Sequence, residues 1–340
     1  MSVKPIDVLV YYPLTREQQR ELSSISPQIR LSIFSDNNFA DITSDLMEKA
    51  EILLTTKHIP DPEDAPQLKW IQFSYAGIDF VHDHPILDRV GFQATSLSGA
   101  AAPKVAEYAL MALLALAHKL PKLLQYQREK IWPPDRWTRF QPVELRGSTV
   151  GMLGYGSIAR ELARLLQPFG VSILATKQNL EEVHQRGYVP EGTGDPKGEL
   201  FSRLYPPEAL HSMLKLCDFV VITLPLTSST RTIIGAKELQ TMKPSSYLIS
   251  LGRGGQVGED ALLFALKEKQ IAGAVLDVFS SEPLSKESPL WEAPNLIITP
   301  HIGGSTGNYD QLVFELFSEN LRRYIAGKQL LNVFDPERGY

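Results

Sequence analysis

Thr149-Val150-Gly151-Met152-Leu153-Gly154-Tyr155-Gly156-Ser157-Ile158-Ala159 is an apolar run that enters a glycine turn, and the residues after it, Arg160 to Gln167, follow a helical pattern. That order of strand, turn and helix gives the G-x-G-x-x-G/A spacing a physical meaning that the letters alone lack. Gly154 permits the tight turn, and Gly156 lets the backbone approach a pyrophosphate at a helix N-terminus. Ala159 takes the third glycine position, which a close helix-strand contact tolerates. Taken alone, the triplet is equally compatible with an ordinary turn.

Working outward, Val171 to Thr176, Phe219 to Leu224, Tyr247 to Leu251, Ala272 to Asp277 and Leu296 to Thr299 repeat the apolar run, with helical stretches such as Gly258 to Lys269 between them. With Thr149 to Leu153 they predict a doubly wound parallel sheet of the Rossmann type. Upstream, Asp7 to Tyr12, Leu31 to Phe34, Ile52 to Thr55, Trp70 to Phe73 and Gln93 to Thr95 read as short strands of a smaller α/β domain. The longest apolar run, Tyr108 to Ala117, is far short of the ~20 residues a bilayer crossing needs. Apolar on all sides, it predicts a buried helix, with His118 and Lys119 at the end where positive charge suits the helix dipole.

Three strand ends carry the chemistry. Leu251-Gly252-Arg253-Gly254-Gly255, Asp277-Val278-Phe279-Ser280-Ser281-Glu282-Pro283 and Thr299-Pro300-His301-Ile302-Gly303-Gly304 place an arginine, a glutamate and a histidine at successive ends. An α-oxo carboxylate is a planar anion that a guanidinium fork binds bidentately, as a lysine cannot. An imidazole passes protons near neutral pH, and a carboxylate on its far nitrogen fixes the ring. Singly, Arg253 reads equally well as a surface cation, Glu282 as a turn acid and His301 as a hydrogen-bonded buried imidazole; jointly, in this order, they read as equipment for reducing a 2-oxo acid.

Cofactor choice turns on the second strand of the large sheet. Enzymes that prefer NAD place an acid about 20 residues past the glycines for the ribose hydroxyls. Here the strand ends in Thr176-Lys177-Gln178, without a carboxylate. A 2′-phosphate would be repelled by an acid and held by a hydroxyl and an ammonium. NADP(H) is therefore expected in preference to NAD(H), with Thr176 and Lys177 on the phosphate; the bland reading of Lys177 is a solvated strand-end lysine.

The chain has 340 residues, 43% hydrophobic and 21% charged, enough for two domains with separate cores. A formal charge of -5 argues against a nucleic-acid or anionic-membrane partner. The single cysteine, Cys217, excludes an internal disulfide and fits a reducing, cytoplasmic setting, where it is expected as a buried, inert thiol. No signal peptide is apparent before Asp7-Val8-Leu9-Val10-Tyr11-Tyr12. His82-Asp83-His84 with Asp79 has metal-like composition but no supporting cluster, so a surface loop is expected and no metal.

The glycine fingerprint, Val105-Ala106-Glu107, Leu224-Pro225-Leu226-Thr227 and the Arg, Glu and His segments together resemble the D-isomer-specific 2-hydroxyacid dehydrogenase family, in the family's order and over nearly the whole chain. Ser288-Pro289-Leu290-Trp291 and the ending Asp335-Pro336-Glu337-Arg338-Gly339-Tyr340 look most like its glyoxylate/hydroxypyruvate reductase branch. The resemblance implies two lobes: a Rossmann NADP-binding domain at 118–304, and a smaller, discontinuous, flavodoxin-like substrate domain at 1–117 and 305–340, rejoined by a helix from about Asn308 to Ile325, with the substrate cleft between them. It also implies a dimerisation arm at about 119–146, rich in aromatics and prolines, in which Trp132 and Trp137 are candidates to reach a partner's pocket, and hence a homodimer.

By the same resemblance the cofactor residues are Gly154, Tyr155, Gly156, Ser157, Ile158, Thr176, Lys177, Leu224, Pro225, Thr230, Leu251, Gly252, Arg253, Asp277, His301 and Gly303, with Asp277 on the nicotinamide carboxamide. Substrate would meet Tyr75 as a pocket wall, the amides of Ala76 and Gly77, and Arg253; from spacing alone this turn reads as routine, capped by Asp79. Hydride would pass from NADPH to C2 of the oxo acid while His301, oriented by Glu282, supplies the proton. Rivals are a dinucleotide-sensing corepressor or scaffold, whose partner motifs and disordered tails are not seen here, phosphoglycerate dehydrogenase, many of which carry regulatory domains at the C-terminus, and formate dehydrogenase, which would not need the Glu-His pair. The stretch Gly187 to Pro207, rich in glycine and proline, is longer than a usual connection and is expected either as a flap near the adenosine end or as a mobile surface loop.

Overall fold

Strands covered on both faces read as nearly continuous apolar runs, and Ile52–Thr55, Trp70–Phe73, Phe219–Ile222, Tyr247–Ser250 and Gly273–Leu276 are buried throughout. The computed structural model describes residues 4–34 and 42–340. In chain order the elements are β1 (Ile6–Tyr11), α1 (Arg16–Ser24), β2 (Ile29–Phe34), α2 (Ser44–Lys49), β3 (Ile52–Thr55), β4 (Trp70–Phe73), β5 (Gln93–Thr95), α3 (Ala102–Ala117), α4 (Leu120–Glu129) and α5 (Arg136–Arg139). There follow β6 (Thr149–Leu153), α6 (Ser157–Leu166), β7 (Ser172–Thr176), β8 (Arg203–Tyr205), α7 (Leu210–Leu214), β9 (Phe219–Ile222), α8 (Ala236–Thr241), β10 (Tyr247–Ser250), α9 (Glu259–Lys267), β11 (Gly273–Leu276), β12 (Leu296–Ile298) and α10 (Tyr309–Ile325). Backbone proximity divides the chain into one unit of Met1–Ala101 with Thr306–Tyr340 and a second of Ala102–Ser305.

The first unit is a parallel sheet in the order β2-β1-β3-β4-β5, the flavodoxin-like winding. Helix α1 starts at a reciprocal cap: Thr15 Oγ1 accepts from the Gln18 amide, and Gln18 Oε1 accepts from the Thr15 amide. The last helix returns to this sheet because its apolar stripe, Val313, Phe314, Leu316, Phe317 and Leu321, is buried. The rings of Phe317 and Tyr324 lie 5.5 and 5.7 Å from Trp70. Within that face Asn320 donates to Gln72 Oε1 at 3.0 Å and accepts from the Leu331 amide at 2.8 Å, while Thr95 accepts from the Trp70 indole and donates to Gln72 Oε1. This buried polar chain fixes the register of α10 on β4 and β5, where apolar contact alone would leave it free to slide.

In the second unit the parallel order is β12-β11-β10-β9-β6-β7-β8. The winding reverses between β6 and β9, the place where doubly wound sheets bind ligands beyond their carboxyl ends. Gly151 in β6 has no Cβ because one would strike the sulfur of Cys217. That thiol is fully buried and donates to the Met213 carbonyl at 3.2 Å.

Helix α3 differs from expectation in two respects. It packs on α6, β10 and β11 within the second unit, so the unit boundary falls near residue 101 and not at 117. Its alanines, Ala106, Ala109 and Ala112, are buried against that layer, yet Met111 stays 46% exposed, so the helix is not covered all round. An Ala-rich apolar helix announces burial, but its periodicity does not say against which sheet.

The stretch between β7 and β9, expected as a flap near the adenosine end or as a mobile surface loop, carries a strand and a buried acid. It contributes β8 to the sheet edge, paired with β7 through Leu174–Arg203 to Thr176–Tyr205, and it buries Asp195. In the region of the expected arm, α5 is joined to α4 by Arg139 donating to the Tyr126 hydroxyl, the Arg139–Asp135 ion pair closes α5 on its own first turn, and Trp132 and Trp137 are 83% and 79% exposed. His84 caps a short turn by accepting from the Ile86 amide, and His82 packs edge-on against Phe334. Among the described residues no group is arranged to hold a metal ion, and no helix is long and apolar enough to cross a membrane.

Candidate active site

The glycine turn follows β6. Gly154 has φ +85°, where a side chain would be strained and its Cβ would press on Leu224 at 2.6 Å. Its amide donates to Thr176 Oγ1 at 2.9 Å, so the hydroxyl expected on a phosphate also fixes the turn and keeps one donor to offer. At Gly156, the residue before α6, the space a side chain would fill is open. The first amides of α6, those of Ser157 and Ile158, have no partner within the helix, which makes the cradle suitable for an anion. Ala159 is buried in the core behind it. The turn therefore fits the pyrophosphate of a dinucleotide. Tyr155 is a partial exception among the expected contacts: its side chain is buried and donates to Asp195 Oδ2 at 2.7 Å, leaving only its backbone for a ligand.

After β9, Leu224 packs beside Gly154, and Thr230 closes the following turn by donating to the Pro225 carbonyl at 2.7 Å and accepting from the Thr227 amide at 2.8 Å. Gln256, fully buried and not singled out from the sequence, ties this turn to the arginine loop. Its Nε2 donates to the carbonyls of Leu224 and Pro225, and its Oε1 accepts from the Arg253 amide at 2.9 Å. The glycines around Arg253 have the same cause. A Cβ on Gly252 would strike Gln256 and the Leu224 carbonyl, and one on Gly254 would strike the Phe279 carbonyl. Arg253 is half-buried, with Nη1 donating to the Gly252 carbonyl at 2.9 Å. Leu251 is buried beneath it.

Arg253, Glu282 and His301 follow β10, β11 and β12, which are neighbours in one parallel sheet, so all three lie beyond the same edge. Gly254 brings the arginine loop against the start of the glutamate segment. Glu282 Oε1 accepts from the Phe279 amide at 2.9 Å, and its Oε2 meets His301 Nδ1 at 2.7 Å. That bond gives the ring an Nδ1–H tautomer and leaves Nε2 for proton transfer.

His301 has φ 53°, a left-handed backbone that side chains rarely adopt and that costs on the order of 1–3 kcal/mol. Asp277 holds it there. The Asp277 carbonyl accepts from the His301 amide at 2.8 Å, and its carboxylate accepts from Thr299 Oγ1 and from the amides of Ile302 and Gly303 at 2.6, 3.0 and 2.8 Å. Three of a carboxylate's roughly four acceptor sites are thus used within the histidine loop. Asp277, expected on the nicotinamide, is first of all the residue that shapes the turn presenting His301.

Tyr75, Ala76 and Gly77 belong to the first unit, beyond β4. The Tyr75 carbonyl accepts from the Leu97 amide at 2.8 Å, and Lys57 Nζ lies 5.5 Å from the Tyr75 ring centre.

Comparison with known proteins finds a model described as D-isomer specific 2-hydroxyacid dehydrogenase, NAD binding domain, matching residues 110–303. A glyoxylate reductase of Thermococcus gammatolerans is 33% identical over 270 residues, 78% of this chain and 76% of that protein. A D-3-phosphoglycerate dehydrogenase of Methanocaldococcus jannaschii is 30% identical over 86% of this chain and 49% of its own length. A D-isomer specific 2-hydroxyacid dehydrogenase from Xanthobacter autotrophicus Py2, solved in complex with NADPH and MES, superposes with a TM-score of 0.80 at 27% identity, covering 99% of this chain and 100% of that one.

Proposed function

The chain belongs to the D-isomer specific 2-hydroxyacid dehydrogenase family of oxidoreductases, and from that premise we propose that it reduces a small 2-oxo acid of the glyoxylate or hydroxypyruvate class to the D-2-hydroxy acid with NADPH. The observation that carries the reading is the 2.7 Å contact of Glu282 with His301 Nδ1 beside the arginine loop. A bound NADPH supplies the hydride. Arg253 binds the substrate carboxylate and polarises the adjacent carbonyl with its fork of N–H donors. In the turn after β4, the amides of Ala76 and Gly77 are assigned as donors to substrate, with Tyr75 as a wall. His301 donates its proton from Nε2 to the developing alkoxide, and Glu282 keeps the ring in the orientation that presents Nε2.

For the dinucleotide, Gly154, Gly156, Ser157 and Ile158 receive the pyrophosphate and Lys177 the 2′-phosphate, with Thr176 fixing the turn and donating its hydroxyl. Leu224, Pro225, Thr230, Leu251, Gly252 and Gly303 line the rest. Support for NADPH over NADH is the sequence Thr176-Lys177-Gln178 after β7, which offers no carboxylate to the ribose. The glyoxylate reductase similarity supports the substrate class. The exposed Trp132 and Trp137 support pairing with a second copy through α4 and α5. The test is a panel of 2-oxo acids assayed with each dinucleotide. Expected is kcat/KM for NADPH above NADH by at least about tenfold, with glyoxylate or hydroxypyruvate preferred. Equal use of both dinucleotides contradicts the cofactor assignment, and no turnover of any 2-oxo acid contradicts the function.

A further inference from the structure

Between Gly154 and Gly156 stands one side chain, and it is held from several directions by a segment that a compact doubly wound fold does not need. The Tyr155 hydroxyl donates to Asp195 Oδ2 at 2.7 Å, its ring meets Phe201 edge-on at 5.2 Å, and the Arg160 guanidinium lies 4.7 Å from the ring centre. Arg160, 2% exposed, donates from Nε to the Tyr155 carbonyl at 3.1 Å, from Nη1 to the Asp195 carbonyl at 2.6 Å and from Nη2 to the Val183 carbonyl at 2.7 Å. Asp195, 4% exposed, also accepts from the amides of Glu199 and Leu200. Next along α6, the buried Glu161 accepts from the Gly194 amide at 2.6 Å and pairs with Arg164.

Burying a guanidinium and carboxylates is costly, and well-packed apolar residues would attach a loop to a helix as firmly. What the polar network adds is direction. Glycines on both sides of Tyr155 leave its backbone with broad conformational freedom, and an anion is received only when the amides of that turn converge. We propose that the segment 179–202 is a brace of the dinucleotide site: through Asp195 and Arg160 it sets Tyr155, and with it the turn 154–156, in the geometry that receives the pyrophosphate. Tyr155, Arg160 and Asp195 are positioning residues for cofactor binding, and the inference rests on the reading of the turn as a pyrophosphate site. Binding is reciprocal, so a dinucleotide that needs the braced turn must in turn quieten the brace.

The experiment compares the full-length wild type with Tyr155→Phe and Asp195→Asn in steady-state kinetics with NADPH, and follows amide exchange over 183–200 with and without NADPH. Tyr155→Phe removes a single hydroxyl and Asp195→Asn keeps the shape of the side chain. Expected is a KM for NADPH raised about three- to tenfold in each, with kcat at saturating NADPH and KM for the oxo acid within about twofold of wild type. Exchange at Gly194, Glu199 and Leu200 slows when NADPH binds the wild type and slows less in Tyr155→Phe. Thr193→Val, which loses only the bond to the Pro190 carbonyl inside the segment, keeps the wild-type KM. A wild-type KM for NADPH in Tyr155→Phe with unchanged exchange overturns the brace alone, as does a fall in melting temperature with equal rises in the KM for NADPH and the KM for the oxo acid. Failure of the wild type to bind or oxidise either nicotinamide dinucleotide overturns the functional reading and the brace with it.

Discussion

At the residue scale the assignments differ in what they ask of a side chain. Arg253 is asked for a planar fork, so Arg253→Lys, which keeps the charge, is expected to lower kcat/KM for the oxo acid by about 10²-fold. NADPH affinity read by fluorescence titration should change far less, and a wild-type kcat/KM in that variant contradicts the anchor. Cys217 is asked for nothing but volume opposite Gly151. Burial pushes its thiol up to about 12, well above the roughly 8.5 of an unfolded thiol. A raised folded value means that the stability it contributes is whole below about 8.5 and is lost as pH climbs toward about 12. Near pH 8, alkylation of the native protein should therefore proceed only at the rate of opening, while the denatured chain reacts at once; rapid native labelling would show the site to be open.

At the scale of elements, α10 is the part whose attachment depends most on a few polar atoms. Asn320→Ala leaves the Leu331 amide without its acceptor and takes from Gln72 Oε1 one of its two donors, Thr95 being the other, and a loss of about 2–4 kcal/mol in unfolding free energy is expected from denaturant titration. A loss under about 0.5 kcal/mol would mean that the apolar stripe alone holds the helix. Elements were also where the sequence was most readable. Parallel strands announce themselves as β-branched runs, and the readings of β1 to β5, β6, β7 and β9 to β12 fall within a few residues of those found. Strand β8 was missed because Arg203-Leu204-Tyr205 is short and emerges from a glycine- and proline-rich stretch. The α3 boundary was misplaced because an apolar, alanine-rich helix carries no sign of which sheet it covers.

At the scale of the whole molecule, the two windings, one flavodoxin-like and one of the Rossmann type, follow from the order of runs and turns, and that order was legible. So was the placing of Arg253, Glu282 and His301 on successive strand ends, since strand order makes neighbours of residues remote in sequence. Gln256, Asp195 and Arg160 were not legible. Gln256 reaches backbone carbonyls 31 and 32 positions away, Arg160 reaches carbonyls five, 23 and 35 positions away, and Asp195 accepts from a tyrosine 40 positions away, and such pairings have no period or composition to betray them. For Asp277 the sequence suggested only a nicotinamide contact, and its carboxylate's place in the histidine loop was not legible because the partners at 299, 302 and 303 come from the next strand end. The most direct measurement is oxidation of NADPH by hydroxypyruvate or glyoxylate in the wild type and in His301→Ala, with NADPH binding checked by titration. Expected is turnover by the wild type and a fall in kcat of about 10²- to 10⁴-fold in the variant while NADPH still binds; a variant that keeps near wild-type kcat/KM would contradict the role of His301 as the proton donor.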